Sequence, residues 1–314
     1  MRPMPKRQFL KLSLAATATA ALAACGGGND GPSTPDIVGV ALTDPQFSIL
    51  VEAVVAAGLV ETLKSPGPFT VFAPTNAAFA ALLTELGVTK DALLANKPLL
   101  TAVLTYHVIA AKVPAASVPV GKAITTVQGG VFKIETAGGL KITDGRNRVA
   151  NITATDVAAS NGVIHVIDKV ILPANQDIVA TAQGLPDFSI LVEAVVAAGL
   201  VSTLQGAGPF TVFAPTNAAF AALLAEVGVS KEALLANKPL LAKVLTYHVV
   251  PGRVLKADVP VGAPITTVQG ETFTVNASLK ITDRRGRLAG IVATDVFTSN
   301  GVIHVIDKVI LPAA

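Results

Sequence analysis

Tryptophan is absent from this 314-residue chain, tyrosine occurs twice, and aromatic residues together reach only 4%. That leaves little with which to build the stacking platform of a carbohydrate site. Cysteine occurs once, as Cys25, so no internal disulfide staples the fold and an apolar core has to hold it. A hydrophobic content of 51% supplies that core, in one large domain or two ordinary ones. Four histidines without clustered cysteine fall short of the three or more protein ligands that zinc takes, so no metal or other cofactor is expected. There is no G-x-S-x-G elbow and no G-x-x-x-x-G-K-S/T loop, the signals of an activated serine and of a phosphate cradle. The sparse acids show no pairing of the kind a glycosidase needs. These absences point away from an enzyme.

Charge excludes another class. The net charge of +3 is concentrated at the extreme N-terminus, in Arg2, Lys6, Arg7 and Lys11, and without them 20 basic residues stand against 21 acidic ones. No basic face remains to release counterions from a phosphate backbone, so no nucleic-acid partner is expected.

What is present begins with an address. The basic start and the modestly apolar run LSLAATATAALAA read as an export signal over residues 1–24, too short and too rich in Ala and Thr to span a bilayer permanently. Leu22-Ala23-Ala24-Cys25 resembles the lipobox of bacterial lipoproteins, in which the cysteine becomes the lipidated first residue; an ordinary cleavage site with a chance cysteine is the alternative. KRQFLK resembles a twin-arginine motif with Lys6 in the first arginine place, which leaves the route open between general and twin-arginine export. Residues 25–35, rich in Gly, Pro, Ser and Asp, make a tether. The expectation is an exported protein, held by lipid on Cys25 at a cell-envelope membrane and facing the periplasm or the exterior.

Beyond the tether the chain repeats itself. Gly67–Leu83 recurs unchanged at Gly208–Leu224, and Ser160–Ala174 recurs unchanged at Ser299–Ala313. The offset falls from 141 to 139 between Gln128/Gln269 and Leu140/Leu279, a glycine-bearing stretch suited to loops. So long a period means a duplicated domain, not a solenoid repeat. The short junction Pro173-Ala174-Asn175-Gln176 predicts closely coupled copies.

Within a copy, helix signals come first and strand signals later. Asp36, Asp44-Pro45, Thr75 and Thr89 are helix starts, and Gly58 and Gly87 are stops. FTVFA is a strand, and from Tyr106 onward YHVIAAKV, AITTV, VFKIET, LKIT, ANITATDV and VIHVIDKVIL read as strands. This segregation argues α+β. In the repeated string SNGVIHVIDKVILPA, Asn161-Gly162 and Asn300-Gly301 suit a type I′ turn between two strands. His165 and Asp168, like His304 and Asp307, stand three apart, so in a strand they face opposite ways and form no dyad. His165 shares a face with Val163 and Ile167 and is expected to be partly buried and locally hydrogen bonded, with Asp168 bonding backbone or capping a helix. The basic stretch Asp283-Arg284-Arg285-Gly286-Arg287 reads as a solvated hairpin tip, with a weak polyanion contact as the alternative.

TVFAPTNAAF, then TYHV, then SNGVIHVIDKVILP, in that order and twice over, resemble the two blocks and the intervening Tyr-His motif of fasciclin-like domains. The resemblance runs from Asp36 to Pro312. It implies two tandem α+β domains, at 36–174 and 175–314, each a β-wedge with several packed short helices. It also implies a non-enzymatic, secreted or surface-attached protein concerned with adhesion or matrix contact. By the same resemblance Tyr106, His107, Tyr247 and His248 are the candidate interaction residues, while Asn76, Asp168, Asn217 and Asp307 fall in blocks that maintain the fold. No RGD tripeptide is present, so no integrin mechanism is implied. The expected partner is a protein or polysaccharide of a cell surface, matrix or envelope. A small molecule or lipid in an apolar pocket between wedge and helices is the alternative.

Overall fold

A computed structural model describes residues 34–314. The export segment, Cys25 and the tether up to residue 33 lie outside the described residues. The first copy opens with helices α1 (Ile37–Thr43), α2 (Ser48–Ala57) and α3 (Val60–Lys64). Strand β1 (Phe69–Pro74) and helices α4 (Asn76–Leu86), α5 (Lys90–Ala95) and α6 (Lys97–Tyr106) follow. The chain then builds β2 (Val108–Ile109), β3 (Ile124–Thr125), β4 (Val131–Glu135), β5 (Lys141–Thr143), β6 (Val149–Ala159) and β7 (Gly162–Ile167). The second copy repeats the series as α7 (Ile178–Gln183), α8 (Ser189–Ala197), α9 (Val201–Leu204), β8 (Phe210–Pro215), α10 (Asn217–Val227), α11 (Lys231–Ala236) and α12 (Lys238–Tyr247). Its remaining strands are β9 (Val249–Pro251), β10 (Pro264–Thr266), β11 (Thr272–Val275), β12 (Lys280–Thr282), β13 (Leu288–Thr298) and β14 (Gly301–Ile306).

Local chemistry sets the helix ends where the residue types demand. The carboxylate of Asp36 accepts from the Gly39 N–H at 2.7 Å, and the Thr75 hydroxyl accepts from the Ala78 N–H at 3.3 Å. Each satisfies a backbone donor that the first turn leaves without a partner. Helix α2 stops at Gly58, whose φ of +75° closes a left-handed cap.

The first sheet runs β2-β1-β7-β6-β5-β4-β3 and the second has the same neighbours in β9-β8-β14-β13-β12-β11-β10. The early strand β1 thus sits beside the last strand β7, and the two are parallel, with Phe72 opposite His165. Alternation along β7 divides each copy into two cores. Ile164 and Val166 pack with Phe79, Leu100 and Leu104 under the helices. Ile167 packs with Phe72, Phe132, Ile134 and Ile142 inside the wedge. Burying each such side chain contributes roughly 1.5–3 kcal/mol, so both cores are needed to offset chain entropy without a disulfide.

Two expectations are corrected here. Helix α6 continues through Tyr106 and His107 caps it, so only Val108 and Ile109 remain as strand where YHVIAAKV was read. The hairpin between β6 and β7 pairs Ala159 with Gly162, which puts Ser160 and Asn161 in the turn in place of Asn161-Gly162. Neither Asn161 nor Gly162 has positive φ. Gly162 is required for a different reason: a Cβ there would fall on the Phe69 carbonyl of β1, and Gly301 meets Phe210 in the same way.

Candidate functional site

The Tyr-His motif lies inside the molecule. Tyr106 and Tyr247 are wholly buried and His107 and His248 nearly so, at 2% and 1% exposure. The four candidate interaction residues therefore lie inside the described structure and present no face to a partner there. The Tyr106 hydroxyl donates to the Val131 carbonyl at 2.6 Å and accepts from the Gly145 N–H at 2.8 Å. Its ring meets Phe132 edge-on at 6.0 Å. Burial raises both tyrosine pKa values, that of Tyr247 to about 12, so both stay neutral donors. In His107, Nε2 accepts from the Ile171 N–H at 3.1 Å, and Nδ1 therefore carries the proton it gives to the Val103 carbonyl at 2.7 Å. His248 repeats this with Val244 and Ile310. Burial pushes both histidines down to about 4, and the neutral ring is the form these bonds select.

In the repeated string the histidine and the aspartate have separate partners, and His165 is more deeply buried than expected, at 1% exposure. His165 lies against Phe72 at 5.3 Å, bonds the Val113 carbonyl through Nε2 at 3.0 Å and receives the Asp156 N–H. Asp168 accepts the Asn151 N–H at 2.7 Å and its side-chain amide at 2.6 Å, across the β6–β7 hairpin. The corresponding Asp307 accepts the Gly290 N–H, and His304 bonds the Val254 carbonyl. Asn161 works through its side chain: its oxygen accepts the Ile37 N–H and its amide donates to Leu63 and Ser65. Asn300 does the same for Ile178, Leu204 and Gly206. Asn76 and Asn217 pin the starts of α2 and α8 through Ile49 and Ile190. Among the described residues no group of three or more His, Cys, Asp or Glu side chains is placed to hold a metal.

The Asp283–Arg287 stretch is the tip of the β12–β13 hairpin, with Arg284, Arg285 and Gly286 exposed, but its first residue turns inward. Asp283 is buried and accepts from the N–H groups of Arg285, Arg287 and Leu311. Arg285 bonds the Pro312 carbonyl and Arg287 pairs with Glu226 at 2.7 Å. The matching Asp144 and Arg148 hold Leu172, Val170 and Glu85. The loop staples each domain's C-terminal segment, in the second copy through Asp283, Arg285 and Arg287, while Arg284 stays exposed.

Sequence reasoning missed the junction between the copies. Lys133 of β4, only 7% exposed, reaches Asp295 of β13 at 3.0 Å. Asp295 also accepts the Lys256 N–H at 2.8 Å. Asn147 exchanges two hydrogen bonds with the backbone of Phe297, at 2.6 and 3.1 Å. Val131, Leu255, Phe297 and Val302 form an apolar cluster around these bonds. A signal was available in the self-comparison. Lys133, Asn147, Arg253, Leu255 and Phe297 match Thr274, Gly286, Lys112, Pro114 and Ala158 in the other copy, so the copies differ where they touch.

Comparison with known proteins accords with this geometry. The Fasciclin domain family matches residues 45–173 and 186–312. Protein sll1483 of Synechocystis sp. is 47% identical over 150 residues, which cover 47% of this chain and 79% of that protein. Protein sll1735 of the same organism is 44% identical over 138 residues, 44% of this chain and 98% of that one. Transforming growth factor-beta-induced protein ig-h3 of Sus scrofa is 31% identical over 252 residues, 80% of this chain but only 35% of that longer protein. Among solved structures, a FAS1 domain pair from the insect cell adhesion molecule fasciclin I covers 83% of this chain and 95% of its own, at 18% identity and a TM-score of 0.43. The chain belongs to the fasciclin domain family and carries two of its domains in tandem.

Proposed function

We propose that this protein is a non-enzymatic adhesion or interaction module, exported and held to an envelope membrane by lipid on Cys25. It recognises a protein or polysaccharide partner at a cell surface, in a matrix or in the envelope. The observation that carries the reading is the tandem of fasciclin domains, a domain type associated with adhesion and matrix contact in relatives. The lipobox-like Leu22-Ala23-Ala24-Cys25 supports the anchor. The internal Tyr-His pairs support the wedge from within, which leaves recognition to exposed side chains around them. Two domains fixed against each other present two related faces at a set distance, which raises avidity when both engage.

The alternative of an apolar small-molecule site gains less support. The apolar cavity between the helices and β1 of the first domain, lined by Ile37, Leu50, Val54, Leu63 and Leu104, holds about 70 Å³, and its counterpart in the second domain about 30 Å³. Ligand pockets usually need about 300 Å³ or more. Two measurements test the proposal in the producing cell. Cys25→Ala is expected to move the protein from the membrane to the soluble fraction and to abolish labelling by a clickable fatty acid. Removal of both domains is expected to change surface attachment or aggregation; unchanged behaviour in every such assay overturns the adhesion reading.

A further inference from the structure

The junction of the two domains forms a cleft of about 340 Å³ that opens to solvent at Gln128 and Ser299 and is lined also by Gly130, Pro173, Arg253 and Phe297. Unlike the small apolar voids beneath the helices, this one has mixed walls. Val131, Pro173, Ala174 and Phe297 supply apolar surface, and Gln128, Thr298 and Ser299 supply polar side chains. It also contains a cation, the partly exposed Arg253, with which no carboxylate among the described residues pairs. The Nε of Arg253 is buried and, among the described residues, has no hydrogen-bond acceptor. Burial lowers the pKa of this guanidinium, only Tyr106 opposes that effect, and no carboxylate contributes. The Tyr106 hydroxyl is already committed to Val131 and Gly145.

A guanidinium cannot escape desolvation by giving up its proton at ordinary pH, so even partial burial without a counter-charge carries a cost that a bound anion would offset. Every other buried side-chain nitrogen and oxygen among the described residues has a partner, which makes this one an exception to be explained. The planar fork of an arginine matches a carboxylate with two parallel hydrogen bonds, and a single guanidinium balances the one charge of a carboxylate but not the two of a phosphate dianion. Gln128 is oriented for the same purpose: its carbonyl end accepts the Gly130 N–H at 2.9 Å, which leaves its amide NH2 to donate. The first copy carries Lys112 at the position of Arg253, exposed on the surface, so the duplication alone does not account for the site.

We propose that the inter-domain cleft binds a small carboxylate with a short apolar body, its carboxylate on Arg253 and its body against Val131 and Phe297. The site belongs to the pair and to neither domain alone, because Gln128 and Val131 come from the first copy and Arg253 and Phe297 from the second. This goes beyond the adhesion reading and does not depend on it.

The test uses the chain without its export segment and titrates isobutyrate, benzoate and inorganic phosphate by calorimetry and by thermal shift. At least one carboxylate is expected to bind saturably and raise the melting temperature, with phosphate at least tenfold weaker. Arg253→Gln is expected to weaken that carboxylate by roughly tenfold to a hundredfold, the scale of a charged hydrogen bond. Arg253→Lys, which copies the residue of the first domain and keeps the charge, is expected to fall between the two. Absence of saturable carboxylate binding overturns the site, as does equal binding by wild type and a folded Arg253→Gln chain. Phosphate binding as tight as the carboxylate overturns the ligand class.

Discussion

Acid is expected to unfold this protein earlier than its carboxylates alone would require, and the cause is the pair His107 and His248. Each ring is buried, and each offers Nε2 as an acceptor to a backbone N–H, Ile171 in one case and Ile310 in the other. A second proton on the ring would point at that donor. Burial holds both pKa values at about 4 against the ordinary 6.5. As pH falls through 6.5 the unfolded chain takes up protons that the folded chain refuses, so stability is complete above that pH and is lost progressively down to about 4. A shift of this size amounts to roughly 3 kcal/mol per histidine over the whole window, with roughly 2 kcal/mol of it between pH 7 and 5. His304 is shifted down by burial as well and adds in the same direction. Most carboxylates titrate below this range, so the interval from 6.5 to 5 belongs to the histidines. Urea denaturation at pH 7, 6 and 5 reads the effect directly. The wild type should lose several kcal/mol across the series, and the double variant His107→Gln/His248→Gln should show a much flatter dependence, whatever its stability at pH 7. Coincident wild-type midpoints at pH 7 and 5, or the full slope in the double variant, would refute the assignment of two neutral buried rings.

Three further outcomes follow from named contacts. Lys133→Met leaves Asp295 buried without its cation and is expected to cost about 2–4 kcal/mol; adding Asp295→Asn should restore part of the loss, and additive costs in the double-mutant cycle would deny the coupling. Asn161→Ala removes bonds to Ile37, Leu63 and Ser65 and should destabilise by about 2–3 kcal/mol, with Asn300→Ala matching it in the other copy; chemical denaturation decides, and a change below about 0.5 kcal/mol contradicts the role. Tyr106→Phe strands the Val131 carbonyl and the Gly145 N–H and should cost about 1–3 kcal/mol while leaving cell attachment intact wherever the domain remains folded. Loss of attachment by a fully folded Tyr106→Phe chain would return the motif to the surface.

Much of the fold was legible because its signals are local. Capping by Asp36 and Thr75, the stop at Gly58 and the alternation along Val163–Ile167 each follow from a few neighbouring residues. What was not legible depended on distant chain. Gly162 reads as a turn glycine until β1 is known to lie against it, since the Asn-Gly pair carries the same letters in either role. Tyr106 and His107 read as strand because β-prone residues follow them, yet the last turn of α6 buries both rings. The exposed tip at Arg284-Arg285-Gly286 was legible, but the inward bonds of Asp283 and Arg287 were not, because their partners, Leu311 and Glu226, are far away in sequence.

The junction adds what neither copy shows alone. Asp156 and Asp295 occupy one position in the two domains, both at positive φ on an irregularity of the long strand, and both accept a backbone N–H from the segment after the second strand. In the first copy that is all Asp156 does among side-chain bonds, and it lies exposed. In the second copy the remaining oxygen takes Lys133 from across the junction. A carboxylate already required by the fold was thus available to hold the neighbouring domain once Lys133 stood where the other copy has Thr274. Asn147 and Phe297 show the same pattern against Gly286 and Ala158. Two beads on a flexible string would need no such complementarity, because their joint affinity depends on the linker. Matched substitutions at Lys133, Asn147 and Phe297 hold the two domains in one relative setting, and breaking Lys133–Asp295 should therefore loosen the junction more than it weakens either domain, which limited proteolysis of the linker segment would read.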